Sequence, residues 1–166
     1  MQIKFGLSPK EIGKAIKGIE EYKKGLNKKC ERLILELADL GYKTSKAILQ
    51  EHIYSGQTIG SIRIENLSDS QKTRMSIVVE SSAILFLEFG AGIKYSSTAH
   101  PKASELGMGP GTYPGKGYWD SPSGWWYLGD DGEYHHSYGI EAAMPMYQAE
   151  QAIIRDMNKV AKKIFK

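Results

Sequence analysis

The chain has 166 residues, 41% hydrophobic and 25% charged, enough for one domain that buries roughly two thirds of its unfolded surface. Its single cysteine, Cys30, excludes an internal disulfide and predicts a reducing interior. The net charge of +3 conceals basic ends around an acidic middle: residues 1–50 carry 11 cations against 6 anions, residues 51–150 carry 6 against 12, and residues 151–166 carry 5 against 1. Because all three Trp and eight of the ten Tyr residues fall in the acidic part, the pattern argues against a nucleic-acid binder, whose cations cluster with stacking aromatics.

In chain order, "SPKE" predicts a helix start, with Ser8 as N-cap, Pro9 at the first helical position and Glu11 completing a capping box. Lysines every few positions and no apolar core in the first 25 residues predict no secretion signal. No apolar run approaches the roughly 18 residues of a membrane span. Ile12, Ile19, Leu26, Leu33 and Leu40 then recur every seven residues, joined by Ile16, Cys30 and Leu37. A helix to Gly41 is expected, with Gly13, Gly18 and Gly25 weakening its first half. The stripe either covers the protein's own sheet or forms a seam between subunits, and Cys30 reads as a packed thiol on it. A second helix is expected from Thr44 to Ile53, ending at Ser55 and Gly56.

Residues 61–81 predict a hairpin, with Ile62, Ile64 and Leu67 on one strand face, a turn in "LSDSQKT", and Met75, Ile77 and Val79 alternating on the return. "SSAILFLEFG" reads as a short helix or a strand, capped by Ser81 or Ser82 if helical. Residues 90–139 hold 11 of the 18 glycines, 4 of the 6 prolines, all three tryptophans and 6 of the 10 tyrosines. So long a stretch predicts a loop insertion with a small hairpin in "GWWYLGDDGEYHHSYG", turning at Asp130-Asp131-Gly132, and a remainder that orders against a neighbour. A C-terminal helix follows Pro145, with Ala149, Ile153, Val160 and Ile164 on one stripe and lysines crowding its last turns. The expected fold is a single α+β domain over 1–166: helical at 1–54, hairpin and core segment at 55–89, insertion at 90–139, and a C-terminal helix at 140–166 packed with the first on a small antiparallel sheet.

Motifs for chemistry fail on spacing. "GMGPGTYPGKG" has Pro110 where a phosphate loop needs glycine, Gly117 where it needs Ser or Thr, and Thr112 where a dinucleotide loop needs its third glycine. Asp130, Asp131, Glu133, His135 and His136 are metal-ligand types, but adjacent histidines on a strand point to opposite faces. No cofactor or metal is expected. Trp119, Trp125, Trp126, Tyr127, Tyr134 and Tyr138 suit either an interface or a sugar-stacking surface, and a loop of this length cannot bury those rings alone. Glu88, in "ILFLEFGAG", is the sharpest acid. As a catalyst it needs a second carboxylate or a base, and Glu80, Asp120 and Glu133 offer no defensible geometry. As a structural group it needs only donors, from Gly90 to Gly92 or from a hydroxyl or cation elsewhere.

Three segments, "SGQTIGSI" at 55–62, "LEFGAG" at 87–92 and "GIEAAMPMYQA" at 139–149, occur in an order and spacing that resembles the tail-component, tail-completion or head-tail joining (neck) proteins of long-tailed bacteriophages. Ala91 stands where that pattern usually has Thr, and Met144-Pro145-Met146 varies its Pro-Phe-Met core. The resemblance implies a nonenzymatic virion protein that forms a homo-oligomeric ring at the neck or head-proximal end of the tail. It implies assembly in the infected bacterial cytoplasm, contacts with connector or head-closure proteins and with the tail terminator or tube, and at most passing contact with DNA. Glu88, Gly90, Gly92, Pro145 and Met146 would then be structural positions, and Trp119, Trp125, Trp126 and Tyr127 interface candidates. The alternative is a virion-associated component that binds or degrades cell-wall glycans.

Overall fold

A computed structural model of the chain describes residues 6, 8–52, 61–81, 83–92, 100–108, 121–129 and 131–166. Its elements are α1 (Pro9–Glu51), β1 (Ile62–Asn66), β2 (Met75–Val79), α2 (Ile84–Phe89), β3 (Trp125–Leu128), β4 (Tyr134–Ser137) and α3 (Pro145–Ile164). The architecture is α+β with long first and last helices. The strands form two separate antiparallel hairpins, β1 with β2 and β3 with β4. Within the expected insertion, residues 93–99, 109–120 and 130 lie outside the described residues. Trp119 and the glycine-proline run from Gly109 are among these, and the expected helix end at Ser55 and Gly56 also lies outside the described residues.

Ser8 begins α1 in extended backbone and accepts the Glu11 N–H on its hydroxyl, with Pro9 in the first turn. The helix then runs unbroken for 43 residues, about 65 Å at 1.5 Å per residue, where two helices were expected. Gly41 is a contact point and not a stop. A Cβ there would fall 2.6 Å from Ile77 Cδ1 and 2.7 Å from Ile153 Cδ1, so the missing side chain lets β2 and α3 close on the same turn of α1. Thr44, read as the start of a second helix, donates its hydroxyl to Leu40 O within the first.

The buried face of α1 is Ala38, Gly41, Ser45 and Leu49, with Ala15 alone in the first half. The heptad row does not stay on it. A strict seven-residue repeat drifts about 20° per turn pair on a straight helix, so by Leu40 the row begun at Ile12 has rotated well off its original direction. Leu33, Leu37 and Leu40 are half-buried, whereas Ile12, Ile16, Ile19, Tyr22 and Leu26 are exposed. Cys30, expected to be packed, is exposed as well.

β1 and β2 pair in the register Ile62↔Val79, Ile64↔Ile77 and Asn66↔Met75, which joins the two alternating faces read from the sequence. Leu67 falls beyond the strand and is exposed. The core gathers where this hairpin meets the C-terminal half of α1: Leu49, Ile62 and Leu87 are buried, with Tyr42, Ile77, Val79, Ile84 and Ile140 packed around them. α3 lies chiefly along α1. Its expected stripe holds, with Ala149 and Ile164 buried and Ile153 and Val160 half-buried. Small buried residues on both helices, Gly41 and Ser45 on α1 and Ala149 and Ala152 on α3, permit close approach.

Candidate functional site

The most heavily determined site centres on Glu88. α2 is six residues long and carries Glu88 on its last turn, beside Leu87 and Phe89, all three buried. No side chain caps its first turn at Ala83, although the Ser81 hydroxyl accepts the Ala83 N–H just upstream. The helix ends at Gly90, whose φ of 73° and ψ of 178° lie in a region that only glycine occupies without strain. A Cβ on Gly90 would meet Ile140 O at 3.0 Å and the Ala142 nitrogen at 3.1 Å. One residue on, Ala91 and Ile140 exchange both backbone hydrogen bonds, at 2.9 and 3.0 Å. Gly92, at φ 80°, passes against Tyr138 O and the Trp125 ring. The two glycines therefore serve the close approach of 90–92 to 138–142, and their amides do not serve Glu88.

The donors to Glu88 come from α3 instead. That helix begins after Met144, which has φ 55° and ψ 47° and supplies no side-chain cap. A helix start leaves several N–H groups without internal partners. Here Leu87 O accepts from Ala143 N at 2.8 Å and from Met144 N at 3.1 Å. Pro145 has no N–H. Glu88 then accepts from Met146 N through Oε2 at 2.8 Å and from Tyr147 N through Oε1 at 2.9 Å. Gln148 N makes the first bond within the helix, to Met144 O. Two adjacent residues of α2 thus satisfy every amide donor from 143 to 147, and the carboxylate sits where the helix dipole favours negative charge.

His100 completes the shell. It is 4% exposed, and its Nε2 lies 3.0 Å from Glu88 Oε1. The Lys102 N–H donates to Nδ1 at 3.1 Å, which puts the ring hydrogen on Nε2 and directs it to the carboxylate. The ring also packs on Phe89 and Tyr147, with centroids 4.7 and 5.0 Å away. Lys102 reaches Glu150 on the second turn of α3 at 2.7 Å, and that hydrogen bond raises its ammonium pKa above the ordinary value. From the other side, Ser45 of α1, fully buried, donates to Pro145 O at 3.0 Å. Glu88 itself is 6% exposed. To act as nucleophile or base it would have to abandon two helix-terminal amides and the imidazole in a place where water cannot replace it.

The second surface is the β3–β4 hairpin, which the sequence located correctly. Trp125↔Ser137, Trp126↔His136, Tyr127↔His135 and Leu128↔Tyr134 face one another, and the chain turns through Gly132. Alternation splits the aromatics. Trp125 points inward at 8% exposure, whereas Trp126 is 63% exposed on the opposite face with Leu128 and Tyr134. His136 lies edge-on to Trp126 and to Tyr138. Tyr127 stacks obliquely on His135 and is exposed. His135 Nε2 meets Asp131 Oδ2 at 2.9 Å, and the Asp131 carboxyl is held below its ordinary range, chiefly by the Glu133 N–H and then by His135. His135 and His136 do point to opposite faces, and among the described residues no three His, Cys, Asp or Glu side chains gather as metal ligands. Among those residues no helix is long and apolar enough to cross a membrane.

Of the residues singled out from the sequence, Glu88, Gly90, Gly92, Pro145 and Met146 come together in one joint. Trp126 stands outward on the hairpin, Trp125 packs inward beside Gly92, Tyr127 is exposed on the face that Trp125 shares, and Trp119 lies outside the described residues. The reading from sequence missed His100, Ser45 and the turn at Met144. No family model matches the chain, and no curated protein or solved structure matches it either.

Proposed function

We propose that this chain is a structural part of a tailed-phage or prophage virion, working by assembly as a ring subunit at the neck or the head-proximal end of the tail. The observation that carries the reading is the joint at Glu88. Two of the three segments that resemble the head-tail joining proteins, 87–92 and 139–149, meet there through Leu87 O and the Glu88 carboxylate. Residues common to such a pattern need no reaction to explain them when their polar groups satisfy one another. Of the third segment, only Ser61 and Ile62 are described.

Two apolar surfaces support an assembly role: the first half of α1 and the outer face of the β3–β4 hairpin both leave large side chains exposed. Contiguous patches of this kind mark association sites. The partners proposed are further copies of the chain, connector or head-closure proteins on one side, and the tail terminator or tube on the other. Negative-stain imaging with mass measurement, of the protein alone and mixed with connector rings of its own phage, tests the proposal. Rings seated on the connector are expected. A strict monomer that ignores the connector would overturn it.

A further inference from the structure

We infer that the subunits join head to tail, the first half of α1 from one copy lying on the outer face of the β3–β4 hairpin of the next. The inference rests on the ring reading above and gives it a contact. Ile12, Ile16, Ile19 and Leu26 are all exposed on one side of α1, across about 21 Å of helix. Among the described elements α1 packs chiefly on α3, β1 and β2, and within this stretch only Ala15 is buried. Trp126, Leu128 and Tyr134 form an equally exposed apolar face on the hairpin.

Charge decides which surfaces pair. Residues 8–30 carry 7 lysines against 3 glutamates. Two such arms side by side would set like fields against each other, with Lys23 on the apolar side itself, so an isologous arm–arm seam is disfavoured. Residues 121–144 carry no Lys or Arg, and their described acids are Asp131, Glu133 and Glu141. The complement to the basic arm is thus present on the same chain. Most arm lysines stand on the helix face away from the stripe, so their pull is longer-ranged and salt-sensitive, while the apolar side chains make the contact. A contact of this kind joins two different patches and propagates until the rotation closes. A few helical turns on a two-stranded hairpin fall in the small-interface class, below about 1,200 Å², so pairs are weak and closure or a template supplies the rest.

Two variants of the full chain test this, with circular dichroism to verify folding: an arm variant, Ile16→Glu with Ile19→Glu, and a hairpin variant, Trp126→Ala with Tyr134→Ala. Sedimentation velocity at low salt should show wild-type protein growing past the monomer as concentration rises to about 100 µM, and each variant remaining monomeric. A mixture of the two variants retains one good arm and one good face, so it should form a 1:1 pair of twice 18.5 kDa that grows no further. Variants that assemble like wild type, a mixture that stays monomeric, or a wild-type chain monomeric throughout would each overturn the inference. Connector rings decorated equally by wild type and both variants would sink this contact while leaving the ring reading standing; no decoration at all would sink the ring reading.

Discussion

Removing the Glu88 carboxylate strands three donors at once: the Met146 and Tyr147 amides and the His100 ring. Glu88→Ala should therefore cost about 3 kcal/mol in urea unfolding, above the usual range for a lost cap because the donors are buried away from water. Glu88→Gln keeps one acceptor oxygen but turns an NH2 group toward the remaining donors, and a loss of about 1.5 kcal/mol is expected. A catalytic acid would behave in the opposite way, its neutral variant folding as well as or better than wild type, and that result would contradict the capping role. Part of this was legible in the sequence. An acid inside an apolar run must find donors, and Pro145 at a helix start preceded by Met144, which has no side-chain oxygen, means that the cap must come from elsewhere. Each half of the pair announces a need. Joining them required the fold, since 57 positions separate Glu88 from Pro145 and nothing local relates them.

Glycines in α1 serve two opposite purposes, and substitution should separate them. At Gly13 and Gly25 an added Cβ meets nothing within 4 Å, so only backbone entropy is at stake. Gly13→Ala with Gly25→Ala should raise helical content and firm the arm by about 1 kcal/mol per site, read as greater ellipticity and slower amide exchange in residues 9–28. At Gly41, Ile77 and Ile153 already occupy the space of a side chain. Gly41→Val should push β2 and α3 away from α1 and lower the urea midpoint by the equivalent of about 2–3 kcal/mol. A stabilised Gly41→Val would show that the helices do not close there. From sequence alone Gly41 reads as a terminator, because glycine beyond a periodic run is the usual sign of a helix end. What overrides the sign is packing: the small face of Gly41 and Ser45 is needed by α3, an element more than 100 positions away along the chain. Hairpins were easier to read, since the alternation of Met75, Ile77 and Val79 and the turn before Glu133 are local signals.

At the scale of the molecule, several carboxylates hold elements together from the surface, and their titration sets how the fold meets acid. Glu36 bridges the two long helices, accepting from Lys163 at 3.1 Å and from Arg32 at 2.9 Å. Those hydrogen bonds, the Lys163 bond first, keep its carboxyl below the ordinary range. Arg63 does the same to Glu80 across the first hairpin, and at that hairpin's turn the Gln71 amide, then Arg74, lowers Asp69. For each group the unfolded chain binds the proton more tightly, so stability increases with pH through the interval between the folded and unfolded values. The contribution is complete above the ordinary carboxylate range, about 4 to 4.5, and disappears as pH falls through the lowered folded values. Asp69 and Glu80 are solvent-exposed and Glu36 is half-buried at the surface, so each adds little and salt weakens it. The urea midpoint should accordingly decline as pH falls below about 4.5. The decline should be shallower in Glu36→Gln, which starts lower at neutral pH because it has already lost the bridge between α1 and α3. Equal acid slopes in wild type and Glu36→Gln, measured at low salt, would show that the bridge contributes nothing to the docking of α3 on α1.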